Sequence, residues 1–306
     1  FFVWNAMRHL INTRALFLTE TELWYNLLGA MKRDDIPIYI VNGRFSEGSK
    51  KLVDFFGVDS ISGIRRFLMI SEKGCERLRD LGIGDDRIGI CGDLKSTNLP
   101  SISDLPPTDF LNDLDYFVAG STRPGEEKMI LEAFSELKKE YGNLGLILVP
   151  RHIERAKSVY ESAELSGFAV SYFSNYTGGD VVVVDSFGVL MALYKRAKIT
   201  FVGGTLIDYG GHNPLEPAFF GKPILIGPYH QSQKHSVDVL QDFNGCVNVS
   251  DVGDIVRSVR KILDDGEYSL ILGENAKRAF ESLETVRSCY EAEIKKIVHL
   301  SDRSLL

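Results

Sequence analysis

The 306-residue chain is 44% hydrophobic and 25% charged, with a formal net charge of −7. That is the composition of a globular protein of about two domains, and its acidity argues against the basic face of a nucleic-acid binder. No apolar run reaches the roughly 18–20 residues that a membrane-spanning helix needs.

The opening "FFVWNAMRHL" carries neither an initiator Met nor a signal peptide and runs directly into helical periodicity. It reads as a fragment that begins inside a domain. Short apolar runs then alternate with amphipathic stretches. Residues 14–20, 36–43, 65–71 and 87–93 have the continuous apolar character of buried parallel strands, with helical segments between them. Residues 96–113, "STNLPSISDLPPTDFLND", break the rhythm with three prolines and small polar residues, as an interdomain linker does. The alternation resumes with strands at 115–121, 145–151, 168–173, 180–185, 197–204 and 222–227. Helices fit at about 125–141, 153–166, 188–196, 213–220 and 233–242, and 250–300 reads as three consecutive helices. This is the pattern of two parallel α/β units of Rossmann type. In such sheets ligands sit beyond the carboxyl ends of the strands.

The four cysteines (Cys75, Cys91, Cys246, Cys289) are far apart and form no C-x-x-C. That spacing points to reduced thiols, with neither a disulfide framework nor a zinc site. No H-E-x-x-H or similar pair provides for a metal, and neither a G-x-G-x-x-G nor a Walker loop follows a first strand.

The densest signal is "GGTLIDYGGHNPLEP" (203–217), with four glycines in nine residues after a strand. Asn213 suits an N-cap, Pro214 the first helical position, and Glu216 lies three residues past the cap. Two readings stand. One is a capping box, with Glu216 bonding back to the Asn213 amide. The other is a phosphate held by free amides at the helix start, touched by His212 or Asn213, with Glu216 on ribose hydroxyls. The preceding glycines favour the second, since a cap does not need them.

Other strand ends carry weaker candidates. Ser121 and Thr122 follow the strand "DYFVAGS", and Arg151 and His152 end "LILVPRH", where a guanidinium suits an anion. Glu22 lies past the first strand, as an acid–base candidate or a simple first-turn acid. Arg44 follows the second strand, and Lys95 the last strand of the first half.

Taken together, "ETELWYNLL", "NGRFSEGS", "GSTRPGEE", "VPRHIERA" and "FVGGTLIDYGGHNPLEPAFFGKPILIGPY" resemble the 3-deoxy-D-manno-octulosonic acid (Kdo) transferases of lipopolysaccharide synthesis, in order from about residue 14 to 300. The resemblance implies the GT-B fold: a partial acceptor-side domain over 1–105, a nucleotide-sugar domain over 106–285, and a C-terminal helix over 286–306 packing back toward the first. It implies an inverting, metal-independent transfer of Kdo from CMP-Kdo to the lipid A precursor, without a further cofactor, at the cytoplasmic face of the bacterial inner membrane. Ser121, Thr122, Arg151, His152, Gly188, Gly204, Gly211, Asn213 and Glu216 fall on the donor side by that resemblance. Glu22 matches the second acid of the family's E-x-E-L-W motif on the acceptor side. The family's general base lies on a Gly-Glu loop in strands that would precede Phe1. The chain departs from the pattern with "NGR" for N-A-R, "GDLK" for G-N-L-K, and "DSFGVL" without an acid after its glycine. A GT-B enzyme using a UDP-sugar and a non-catalytic nucleotide-binding remnant are the alternatives.

Overall fold

The computed structural model describes residues 13–94, 105–111 and 114–303, with side chains to 297. Lys95 and most of the linker expected at 96–113 lie outside the described residues. The chain divides into two compact units, 1–98 with 283–306, and 99–282.

In the first unit, β1 (Leu16–Thr19), β2 (Ile38–Gly43), β3 (Ile64–Met69) and β4 (Ile88–Ile90) form a parallel sheet in the order β1-β2-β3-β4. Helices α1 (Tyr25–Arg33), α2 (Glu47–Phe56) and α3 (Glu72–Asp80) connect them. All six residues of β2 are buried, as a central strand covered on both faces requires.

The second unit is a seven-stranded parallel sheet, ordered β11-β10-β9-β5-β6-β8-β7 among the described residues. Its strands are β5 (Asp115–Thr122), β6 (Leu144–Pro150), β7 (Val170–Tyr172), β8 (Val181–Val183), β9 (Ile199–Val202), β10 (Ile224–Ile226) and β11 (Val247–Asn248). Helices α4 (Glu126–Leu137), α5 (Ala156–Leu165), α6 (Leu190–Arg196), α7 (Leu215–Phe219), α8 (Lys234–Asp242) and α9 (Val252–Asp264) alternate with them. In α4, Ile130, Leu131, Phe134 and Leu137 are buried at helical spacing. Their core partners include Phe117 and Leu146 from the sheet. From β5 the chain lays β6 beside it, goes to the edge for β7, fills in β8 between them, and then returns to lay β9 on the other side of β5. The loops after β5 and β9 therefore diverge from a topological switch point, where open α/β sheets make their ligand crevice.

Three sequence expectations are corrected. The stretch 250–300 is two helices, α9 and the 38-residue α10 (Gly266–Arg303), where three are predicted. The two-residue β11 is too short to register as an apolar run. Cys91 and Cys289, 198 residues apart, are joined in a disulfide, where free thiols are expected. The end of α10 belongs to the first unit, where Tyr290 packs with Val41, Leu68 and Cys91, so chain separation hides the meeting. Cys75 and Cys246 are free.

Candidate donor site

The site grows from the carboxyl edge of the second unit's sheet. At the end of β5, Ser121 adopts a left-handed φ of 57°, uncommon for a residue with a side chain. It lines a cavity with Arg151 from the end of β6 and with Gly188 from the loop after β8. The next residue turns the other way. Thr122 is fully buried, and its hydroxyl donates to Glu127 at 2.8 Å. Arg155 pairs both oxygens of Glu127, at 2.8 and 3.0 Å. Thr122 thus braces the strand end and offers its hydroxyl to the protein, not to a ligand.

Removing that cation should be costly, because Glu127 is 5% exposed and among the described residues keeps only the Thr122 hydroxyl. Arg155→Met is expected to lose about 2–3 kcal/mol, seen as a fall of roughly 5–10 °C in Tm. Adding Glu127→Gln should recover part of the loss. A melting point unchanged by Arg155→Met would remove the pair from the fold's supports.

Arg123, which the sequence reading passes over within "GSTRPGEE", is the hub. Its Nε lies 3.3 Å from Nε2 of His212 and its Nη1 lies 2.8 Å from Nε2 of His152. The Tyr209 ring sits beneath the guanidinium at 5.2 Å, within cation–π range. An arginine only donates, so each Nε2 accepts and each ring carries any single proton on Nδ1. His152 and His212, predicted separately, are thus joined through a cation that neither motif announces. The available signal was the one used for Arg151, a cation directly after a buried strand.

Burial holds the His212 pKa down at about 4, helped by Arg123, Arg151 and His152. Glu216 moves the other way. Burial pushes its carboxyl up to about 7, against the pull of Arg151. The fully buried Tyr194 hydroxyl is raised by burial and then by the charge of Glu216.

The glycine stretch has a structural reason of its own. A Cβ on Gly203 would stand 2.3 Å from the carbonyl oxygen of Ser121. Gly204 has φ 72° and closes the loop by accepting from the Gly211 amide at 2.8 Å. These glycines let protein backbone approach protein backbone, so they are not by themselves the mark of a ligand. The capping box is not formed either: Asn213 Oδ1 accepts from the Leu215 amide at 3.1 Å, and Glu216 takes no part in the cap. Two amides just before the helix are engaged. Those of Gly211 and His212 donate to Gly204 and Gly203 carbonyls, and α7 has only five residues. The cations at this edge are the Arg123 and Arg151 side chains.

Two further predicted residues belong to the first unit. Glu22 is exposed on the loop after β1. Arg44, a candidate past β2, is paired with Asp93.

Residues 1–98 match the family model described as 3-deoxy-D-manno-octulosonic-acid transferase (kdotransferase). A 3-deoxy-D-manno-octulosonic acid transferase of Aquifex aeolicus is 38% identical over 242 residues, covering 78% of this chain and 62% of the relative. A bifunctional glycosyltransferase/methyltransferase of Fusobacterium nucleatum is 37% identical over 243 residues, covering 74% of this chain and 37% of the relative. The chain thus spans less than two thirds of the length of these relatives. Among solved structures, the C-terminal CMP-Kdo binding domain of WaaA from Acinetobacter baumannii is 29% identical, with a TM-score of 0.53 over 56% of this chain and 91% of that one. A UDP-GlcNAc 2-epimerase from Neisseria meningitidis, 13% identical with a TM-score of 0.54, covers 96% of this chain and 79% of its own, and shares the fold.

Proposed function

Because the chain belongs to the 3-deoxy-D-manno-octulosonic acid transferase family, we propose that it is a glycosyltransferase of lipopolysaccharide synthesis that transfers Kdo from CMP-Kdo to the lipid A precursor. The observation that carries this reading is Arg123, held between His152 and His212 beside Arg151 at the switch point of the second unit. Two guanidinium groups suit the single phosphate of a CMP-sugar, whose charge grows as the sugar departs. Neither arginine has a carboxylate ion-pair partner among the described residues, so both are available to an anion. They supply the counter-charge that a metal provides elsewhere, which supports a metal-independent transfer.

In this proposal the acceptor hydroxyl attacks the anomeric carbon of Kdo from the face opposite CMP. The new carbon–oxygen bond forms as the bond to phosphate breaks. CMP leaves with the bonding pair, held by Arg123 and Arg151, and the hydroxyl proton passes to a carboxylate base, which the family resemblance assigns to a Gly-Glu loop. Glu216 is this chain's candidate for the ribose hydroxyls. Peripheral contact with the inner membrane fits Trp24, Phe55 and Phe56, which are 59%, 82% and 52% exposed. Among the described residues no helix is long and apolar enough to cross a membrane.

Calorimetric titration tests the donor half. CMP is expected to bind at least tenfold more tightly than UDP, with the same affinity in EDTA. Arg123→Ala should lower CMP affinity by about 10–100-fold, since a hydrogen bond to a charged group contributes about 1.5–3 kcal/mol. CMP affinity unchanged by Arg123→Ala would move the donor phosphate elsewhere, and tighter binding of UDP would move the enzyme to another donor class.

A further inference from the structure

Behind Arg123 lies a carboxylate that the mechanism does not use. Glu126 is the first residue of α4 and is fully buried. Its Oε1 accepts from the amides of Thr205 and Leu206, both at 2.9 Å. Its Oε2 accepts from the amides of Gly204 and Arg123, both at 2.8 Å. Each oxygen thus takes two N–H donors, and a carboxylate has about four acceptor sites. The set is full, and no site remains for a proton. Burial raises the carboxyl's pKa above its ordinary value, and the same four amides pull against that rise.

The four donors come from the two sides of the switch point. Arg123 leaves β5, and 204–206 leave β9. The second loop continues to His212, whose ring accepts from Arg123. A helix terminus needs none of this, and a capping acid binds the amides of its own helix. Glu126 spends three of its four bonds on a loop 78 to 80 residues away.

We propose that Glu126 is the positioning residue of the donor site, setting the separation of the 121–126 turn and the 203–212 loop so that Arg123, His152 and His212 share one geometry. The inference rests on the donor-site reading above. Glu126 touches no ligand and acts through Arg123 and the loop. It also explains why the amides of 204–206 do not serve a phosphate: they already donate to the Glu126 carboxyl.

Glu126→Gln tests it in the full chain. The amide keeps the shape but offers one acceptor oxygen, and its NH2 faces two backbone donors. Leu137→Ala, at the far end of α4, is the control of matched lower stability. Well below both melting points, Glu126→Gln is expected to bind CMP at least tenfold more weakly than the wild type. Hydrogen exchange at the Gly204, Thr205 and Leu206 amides should quicken at least 100-fold, and Leu137→Ala should leave both measurements near wild type. Folded Glu126→Gln with wild-type CMP affinity would overturn the proposal, as would wild-type protection of those three amides. Equal loss of CMP affinity in Leu137→Ala would reduce Glu126 to a stability residue and also overturn it. Absence of CMP binding by the wild type would count against the donor reading alone, with the exchange measurement still deciding whether Glu126 holds the loop. If Glu126→Gln fails to fold, Glu126→Asp keeps the charge and withdraws it by one methylene, and the same two readouts apply.

Discussion

Gly203→Ala is expected to cost at least about 3 kcal/mol, above the usual range for overpacking, and to abolish measurable donor binding. The added methyl would lie 2.3 Å from the Ser121 oxygen, 2.5 Å from its carbon and 2.7 Å from Thr122 Cα. All three are backbone atoms, so no side chain can swing aside. The strand cannot turn away either, because the Gly203 amide donates to the Gly120 carbonyl at 2.8 Å. Relief requires parting β5 from β9 at the edge where Ser121, Arg123 and the 203–212 loop meet. A loss of about 3 kcal/mol corresponds to a fall of roughly 6–12 °C in Tm. Gly29→Ala is the matched control. It sits inside α1 with nothing within 4 Å of its added methyl, and should be neutral or stabilising by up to about 1 kcal/mol. Equal melting points for the two variants would show that the strand ends yield easily.

The second large effect is a pair of opposed pH dependences. Glu216 has its pKa raised from 4.5 to about 7, so the folded state binds the proton more tightly than the unfolded chain. Its contribution is present below pH 4.5 and is lost as pH rises through about 7, a span worth roughly 3 kcal/mol. His212 is lowered from 6.5 to about 4, so its contribution is present above pH 6.5 and is lost as pH falls toward 4. Its partial exposure trims that effect to about 1–2 kcal/mol. Between pH 4.5 and 6.5 the two slopes offset each other in the wild type, and single variants separate them. The stability of Glu216→Gln relative to wild type is expected to climb between pH 4.5 and 7. That of His212→Asn should climb as pH falls from 6.5 to 4. Urea unfolding across pH 4–8 checks both, and parallel curves for all three proteins would remove the two groups from the titration. If Glu216 holds ribose as a carboxylate, CMP affinity should also tighten from pH 6 to 8 in the wild type. In Glu216→Gln that rise should vanish, with about 1–3 kcal/mol of binding lost.

The sequence made the strand–helix alternation plain, because strands buried on both faces are near-continuous apolar runs. "IPIYIVNG" and "LILVPR" could hardly be anything else. It also marked the carboxyl ends of strands, and with them Ser121 and Arg151, which line one cavity, and His152 and His212, which Arg123 joins. The glycines at 203–211 were visible, but their reason was not. A glycine required by a distant carbonyl looks in sequence like one required by a phosphate.

What the sequence alone determined is therefore local: the element types, the parallel class, and the strand ends on which chemistry gathers. Periodicity and turn chemistry act over a few residues and can be read there. Which residues meet across those ends was decided only in three dimensions. Nothing in the sequence singled out Arg123 or Glu126; only the return of β9 beside β5 brings 204–212 onto them. Thr122 left the ligand side because its hydroxyl found Glu127, and Cys91 found Cys289 because α10 returns to the first unit. Each partner lies on a different element, and only the close packing of strands and helices in the folded chain fixes which buried polar group must satisfy which other.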